Sequence, residues 1–116
     1  MKTPYILVWM GIILCSTAGA SDSSGKFNVL SMGAKSCGQV VSDFKEDGIG
    51  KLANSAWVGG YLTAINAEVY RGFDVARGAD PAARDLWIFN FCSKKPLDSL
   101  YTATDALVVQ LKTRTR

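Results

Sequence analysis

The first twenty residues constrain this fold most, because they decide the compartment in which the chain folds and therefore the chemistry of its cysteines. Lys2 is followed by an apolar stretch over residues 5–15, which is too short to span a bilayer, and by the small residues Ala18-Gly19-Ala20. This order is typical of a secretory signal peptide. We expect residues 1–20 to be cleaved, leaving a periplasmic or secreted protein. An uncut N-terminal anchor and a lipoprotein linked through Cys15 are the alternatives.

Cleavage leaves two cysteines, Cys37 and Cys92. An exported chain meets an oxidising compartment, where a pair of cysteines usually forms a disulfide. The chain contains no His, so a catalytic cysteine would lack its usual base and a structural zinc site would lack imidazole ligands. We therefore predict a Cys37–Cys92 disulfide, with no metal, no cofactor and no enzymatic activity.

The charge of the cleaved chain argues against one class of partner. Without Lys2, twelve of the thirteen Lys and Arg residues remain against ten Asp and Glu, a formal net charge of +2. This asymmetry is too small for a nucleic-acid binder. We expect no nucleic-acid partner and, once the signal peptide is removed, no membrane association.

A first helix is predicted over residues 36–47. Ser36 and Gln39 stand three residues apart, as in a capping box. The "DGIGKL" stretch then breaks the chain at Gly48 and Gly50.

A second helix is predicted to begin at Asn54 or Ser55, either of which can cap it, and to run to Tyr70. Its apolar residues recur at steps of three and four. Gly59-Gly60 lies inside it at a cost of about 1 kcal/mol per glycine, so we expect another helix to approach closely there.

The third helix has a clear predicted start, with Asp80 as its cap and Pro81 as its first residue. It runs to Cys92 and is apolar on nearly every side after Asp85. We expect it to be the central, buried helix. A strand over residues 86–91 is the alternative.

The fourth helix is predicted to open at Pro96, with Asp98 in its first turn. Thr104 lies within its apolar side and can donate a hydrogen bond to a carbonyl one turn earlier. That side contains Leu97, Leu100, Tyr101, Leu107, Val108 and Leu111. Together these segments predict an all-α bundle of about four helices stapled by one disulfide, with a flexible leader over residues 21–33 and a single domain over residues 34–116.

Aromatic residues are dense for so short a domain, and they belong either to the core or to a contact surface. A buried third helix would use its own aromatic residues in the core. Trp57 and Tyr61, beside the two glycines, are then the better candidates for contact with a partner, and Phe73 in the following loop is a third.

Three stretches carry a family resemblance over residues 34–112. They read "SCGQVVSDFK", "NSAWVGGYLTAIN" and "LWIFNFCSKKPLDSLYTATDALVVQL". The chain resembles the small secreted helical domains grouped around the HdeA-type acid-stress chaperones, and also the Rap/Tai-type immunity proteins of type VI secretion.

The resemblance implies a periplasmic helical domain without catalysis, in which Cys37 and Cys92 match the family's disulfide pair. HdeA-type proteins are folded dimers at neutral pH and hold acid-unfolded clients, so unfolded proteins and a second copy of this chain are expected partners. The immunity proteins instead bind and block one specific toxin. The sequence therefore predicts a protein partner of one of these kinds.

Overall fold

The computed structural model describes residues 26–114, and the predicted signal peptide of residues 1–20 lies outside this range. The predicted all-α fold of four helices with one disulfide is confirmed. A 3₁₀ turn precedes the helices. In chain order the elements are the 3₁₀ turn Ser31–Ala34, α1 Cys37–Glu46, α2 Ile49–Glu68, α3 Pro81–Lys94 and α4 Leu100–Arg114. Within residues 26–114, no helix combines the length and apolar character that crossing a membrane requires.

Helix α1 begins where its capping residues predict, whereas α2 begins earlier than expected. The backbone N–H of Gln39 donates to Ser36 Oγ at 3.3 Å. Asp47, in the left-handed conformation, and Gly48 separate the two helices, and α2 starts at Ile49, so the predicted start at Asn54 or Ser55 is wrong. Gly50 lies inside α2 and faces Asp43 of α1. A Cβ at this position would overlap the Asp43 carboxylate, so glycine lets α1 and α2 pack closely.

The close approach expected at Gly59-Gly60 is not found. A Cβ built on either glycine would meet no atom within 4 Å. The tight contact lies instead at Gly33 in the 3₁₀ turn, where a Cβ would overlap the ring of Trp57. Glycine is needed at that position because the indole ring of α2 lies directly on the backbone of the turn.

Helix α3 has the predicted start but not the predicted burial. Asp80 Oδ1 accepts a hydrogen bond from the backbone N–H of Ala83 at 2.8 Å, and the helical conformation excludes the strand alternative. Ile88 and Cys92 are fully buried, whereas Leu86 is 61% exposed. The helix therefore buries one side only, and the expectation of a central α3 is wrong.

Helix α4 is the most buried helix of the bundle. Thr104 is fully buried and donates to the carbonyl of Leu100 at 2.7 Å, as predicted, so its hydroxyl is satisfied within the helix. Other members of the predicted apolar side are buried with it. The buried residues are Leu100, Ala103, Thr104, Leu107, Val108 and Leu111.

The start of α4 differs from the prediction. Pro96 and Leu97 lie in the turn before the helix, and Leu97 is 97% exposed and does not belong to the apolar side. The helix begins at Leu100, and Ser99 Oγ accepts a hydrogen bond from the backbone N–H of Thr102 at 3.1 Å. A serine cap thus replaces the predicted proline start.

The predicted disulfide between Cys37 and Cys92 is present and joins the start of α1 to α3. Backbone hydrogen bonds surround it. The N–H of Cys37 donates to the carbonyl of Asp98 at 2.7 Å, and the N–H of Leu100 donates to the carbonyl of Lys35 at 2.9 Å. We call this region the disulfide junction; it fixes α1, α3 and α4 relative to one another.

The chain before α1 was expected to be a flexible leader over residues 21–33, and its second half differs from that expectation. Gly33 is buried against Trp57. The ring of Phe27 lies edge-on to Tyr101 of α4, with 5.5 Å between ring centroids. Residues 27–33 therefore lie across α2 and α4.

Candidate binding groove

Three aromatic side chains from α2 and α4 form the clearest candidate for a binding surface. Trp57 and Tyr61 stand four residues apart, so they share one side of α2, and their rings stack with centroids 5.5 Å apart and 24° between planes. Tyr101 meets Tyr61 edge-on at 5.8 Å. We call these three residues the walls of the aromatic groove.

Residues 27–30 complete the groove, and we call them the strap. The strap and the walls together line a cavity of about 260 Å³. The walls are half-buried, whereas Phe27 of the strap is 58% exposed and Leu30 is 74% exposed. Apolar surface of both elements thus remains open to solvent at the same place.

A polar rim borders the aromatic groove. Tyr61 Oη donates a hydrogen bond to Asp105 Oδ1 at 3.3 Å. Burial, together with the nearby Tyr101 and Asp105, raises the pKa of Tyr61 above its ordinary value. The phenol therefore stays protonated at physiological pH and presents a hydrogen-bonding group beside the apolar walls.

The structure brings together two of the three predicted contact residues. Trp57 and Tyr61 share the aromatic groove, but Phe73 lies in the loop after α2, edge-on to Tyr70 at 6.1 Å. Phe73 lines a separate cavity with Thr63, Asn66 and other residues. The three predicted contact residues therefore belong to two separate surfaces.

Sequence reasoning missed Tyr101 and Phe27 as members of this groove. The helical spacing assigned Tyr101 only to the apolar side of the fourth helix. Phe27 opens an apolar stretch in a leader whose first six residues are polar or Gly, and this was the available signal that the leader contacts the domain. The contact of Tyr101 with Tyr61 depends on how α2 and α4 cross, and the contact of Phe27 with Tyr101 depends on where the leader lies.

A small charged cluster holds the base of the strap to the bundle. Lys35 Nζ lies 2.7 Å from Asp43 Oδ2 of α1, and Asn54 Nδ2 of α2 donates to the same oxygen at 2.9 Å. Lys35 is the main cause that lowers the pKa of Asp43; partial burial opposes it and Asn54 adds to it. Asn54 is fully buried, and its Oδ1 has no hydrogen-bond partner among residues 26–114.

A second apolar surface, separate from the groove, lies between the first half of α2 and α3. Leu52 and Leu86 are 64% and 61% exposed. Leu86 lines a cavity of about 390 Å³ together with Phe44 and Phe89, whose rings meet edge-on at 6.3 Å. Burial raises the pKa of Asp85 at its edge, although Ser55, Lys51 and Arg84 oppose the shift. We call this surface the outer face.

The described residues offer little for metal binding: within residues 26–114, no three His, Cys, Asp or Glu side chains cluster as they would around a metal ion. Comparisons with protein-family models, with curated proteins and with solved structures gave no match.

Proposed function

We propose that the mature chain is a non-enzymatic, exported binding protein that holds a segment of another protein in the aromatic groove. The observation that carries this proposal is the half-exposed cluster of Trp57, Tyr61 and Tyr101. Tyrosine and tryptophan are enriched at protein interfaces because they bury a large area and lose little conformational entropy. Such residues on two packed helices form a preformed surface.

The compartment supports the same proposal. A disulfide is compatible with an oxidising location such as the periplasm, and it is fully buried here at Cys37 and Cys92. A binding protein exposed to changing external conditions benefits from a frame that cannot open fully. The disulfide junction supplies that frame on the side of α1 and α3.

Unfolded client proteins are the first class of partner, as the resemblance to HdeA-type chaperones implies. In strong acid the ten carboxylates become neutral, and the Lys and Arg residues are left unopposed. The Lys35–Asp43 pair at the base of the strap is lost toward the acidic end of this range, because the lowered pKa of Asp43 keeps its carboxylate charged to lower pH. Both changes loosen the cover of the groove in conditions under which clients unfold.

One specific protein, as for an immunity protein, is the second candidate, and the polar rim favours it. The Tyr61 hydroxyl and the Asp105 carboxylate are held at a fixed position beside the walls. A partner with a matching donor would be selected there, whereas a partner without one would leave these groups poorly solvated. A chaperone for many clients would gain nothing from this feature.

The test compares aggregation of an acid-sensitive client, followed by light scattering from pH 7 to below about pH 4. Wild-type protein should suppress scattering in acid, and Tyr61→Ala should lose most of that suppression. Phe73→Ala is the matched control, since Phe73 is a partly exposed aromatic residue outside the groove.

Equal suppression by Tyr61→Ala and wild type would show that the groove does not hold the client. Absence of suppression at every pH would reject the chaperone function. The specific-partner function would then be tested by affinity capture from periplasmic extract, and a genuine partner must be lost with Tyr61→Ala and retained with Phe73→Ala.

A further inference from the structure

We propose that the strap, residues 27–30, is a displaceable occupant of the aromatic groove, and that the groove's partner is an extended segment with an aromatic side chain in the place of Phe27. This inference rests on the proposed function, because it names the chemistry of the partner and how access to the groove is controlled.

The strap shows what kind of ligand the groove accepts. Its residues are not helical, and the ring of Phe27 lies edge-on to Tyr101 at 5.5 Å. Asn28, Val29 and Leu30 follow along the same cavity. The sequence of the strap is uncharged, so the groove holds a short, extended and mainly apolar segment that begins with an aromatic ring.

The side chains at the two ends of the strap bury less of their surface than the chain that follows it. Phe27 and Leu30 keep more than half of their surface exposed, so their departure returns little apolar area to water. The base is different: Gly33 is buried under Trp57, and Lys35 is bound to Asp43 by its side chain and to Leu100 by its carbonyl. The strap can therefore leave while its base stays in place.

Ser31 lies at the boundary between strap and base. Its φ is 57°, in the left-handed region that residues other than glycine rarely adopt. Such a conformation is unfavourable unless the surrounding contacts hold it. Release of the strap relieves it, so the bend at Ser31 favours displacement and marks the pivot.

An intramolecular occupant lowers the apparent affinity of any partner. A tethered segment of this length has an effective concentration of about 1 mM or more, so a partner in solution competes with it at a disadvantage. Weakening the strap should therefore tighten partner binding, although the substitution removes an aromatic side chain from the groove. This inverse effect would not arise if Phe27 only stabilised the fold or directly contacted the partner.

The experiment measures binding of a fluorescein-labelled peptide, GKFNVLSM, which copies residues 25–32. Fluorescence anisotropy is recorded with the oxidised mature chain as wild type, Phe27→Ala and Phe73→Ala. We expect Phe27→Ala to bind the peptide about tenfold tighter than wild type, since its own strap competes less. Phe73→Ala should bind as wild type does, and a peptide carrying Phe27→Ala should bind none of the three proteins.

Two further variants make the result decisive. Leu30→Ala should give a smaller gain in peptide affinity, and it replaces Phe27→Ala in the comparison if that variant folds poorly. Adding Tyr61→Ala to Phe27→Ala should abolish the gain. Equal peptide affinity of wild type, Phe27→Ala and Leu30→Ala would overturn the inference, as would a gain that survives Tyr61→Ala, because the peptide would then bind elsewhere.

Failure of this inference is distinguishable from failure of the proposed function. If Tyr61→Ala loses client suppression but strap variants bind the peptide as wild type does, the groove is a binding site and the strap does not control it. If strap variants gain peptide affinity but no client or partner depends on Tyr61, the strap exchanges as inferred and the proposed function is rejected.

Discussion

The disulfide junction and the aromatic groove are built in opposite ways. At the junction, Cys37 and Cys92 are fully buried, and backbone hydrogen bonds tie the start of α1 to the turn before α4. At the groove, Trp57, Tyr61 and Tyr101 are half-buried and meet through ring contacts, under a strap that is more exposed still. Covalent and backbone bonds join the elements at the junction, whereas the three walls of the groove meet through side-chain contacts.

This difference assigns separate tasks to the two regions. Backbone and covalent constraints do not depend on side-chain rearrangement, so the junction can hold the helices while other contacts change. Side-chain contacts at a partly exposed surface can be exchanged for contacts with a partner at little cost. Removing constraints from the junction should therefore affect stability most, and changes in the groove should affect binding more than stability.

The largest effect is expected from breaking the disulfide with the paired substitutions Cys37→Ser and Cys92→Ser. The cysteines are 55 residues apart, and by the chain-entropy model a loop of this length contributes about 4 kcal/mol to the free energy of unfolding. For a domain of this size, the melting temperature should fall by more than about 15 °C. Thermal unfolding followed by circular dichroism, with reduced wild type as the control, measures it. An unchanged melting temperature would show that the backbone bonds of the junction suffice.

Smaller changes in the free energy of unfolding, of opposite sign, are expected for two glycines. One lies where the strap's base meets the groove, and the other lies on α2 with open space around it. Gly33→Ala places a methyl group against the Trp57 ring and should lower the free energy of unfolding by about 1–3 kcal/mol. Gly60→Ala, at an exposed helical position with open space around it, should raise it by about 0.5–1 kcal/mol. Urea unfolding measures both. A gain in stability for Gly33→Ala would contradict the packing described at Gly33, and a loss for Gly60→Ala would contradict the open space around Gly60.

The contrast between the regions also explains how much the sequence could predict. The starts of α1 and α3 were predicted correctly because Ser36 and Asp80 act on N–H groups within three residues of themselves. The disulfide was predicted from the compartment and the cysteine count. These signals are local or compositional, and they need no knowledge of packing.

The errors lie where tertiary contacts decide. The start of α2 was missed because glycine disfavours a helix locally, whereas the packing of Asp43 from α1 leaves no room for a larger residue at Gly50. Helix α4 starts late because backbone bonds from Cys37 and Lys35 hold the preceding turn. In the groove, the four-residue spacing of Trp57 and Tyr61 was readable, but the pairing of Tyr61 with Tyr101 depends on how two helices cross.

A pH-dependent effect is expected at the charged cluster that joins the two regions. The pKa of Asp43 lies below its ordinary value of 3.8, mainly because of Lys35. The folded state therefore keeps this charge to lower pH than the unfolded state, and the resulting stabilisation is present above about pH 4 and is lost as the pH falls through the lowered pKa.

Asp43→Asn should consequently cost about 1–2 kcal/mol at pH 7, since two hydrogen bonds to a charged group are weakened. Its urea midpoint should approach that of wild type as the pH falls below about 3. Asp47→Asn is the control, because its pair with Lys51 is exposed and should contribute less. A difference between wild type and Asp43→Asn that stays constant over this range would show that the cluster is not titrating.

The smallest change in stability is expected for Tyr61→Phe, which removes the hydroxyl of the rim and keeps the ring. At neutral pH the loss should be about 0.5 kcal/mol, because the hydrogen bond to Asp105 is long and exposed. The pKa of Tyr61 is raised, chiefly by burial, so its neutral form stabilises the fold below about pH 10 and this contribution declines at higher pH. Urea midpoints above pH 10 should therefore fall less steeply for the variant than for wild type, and identical slopes would contradict the shift.

Tyr61→Phe also separates the two classes of partner, because it preserves the stacked rings and removes only the polar contact. Unfolded clients, which share no common donor, should be held as well by the variant as by wild type in the light-scattering assay. A single specific partner that reads the rim should bind the variant at least about tenfold more weakly, as expected for a lost hydrogen bond in a desolvated interface. Retention of client suppression together with unchanged capture of every partner would mean that the groove recognises its ligand through its aromatic walls alone.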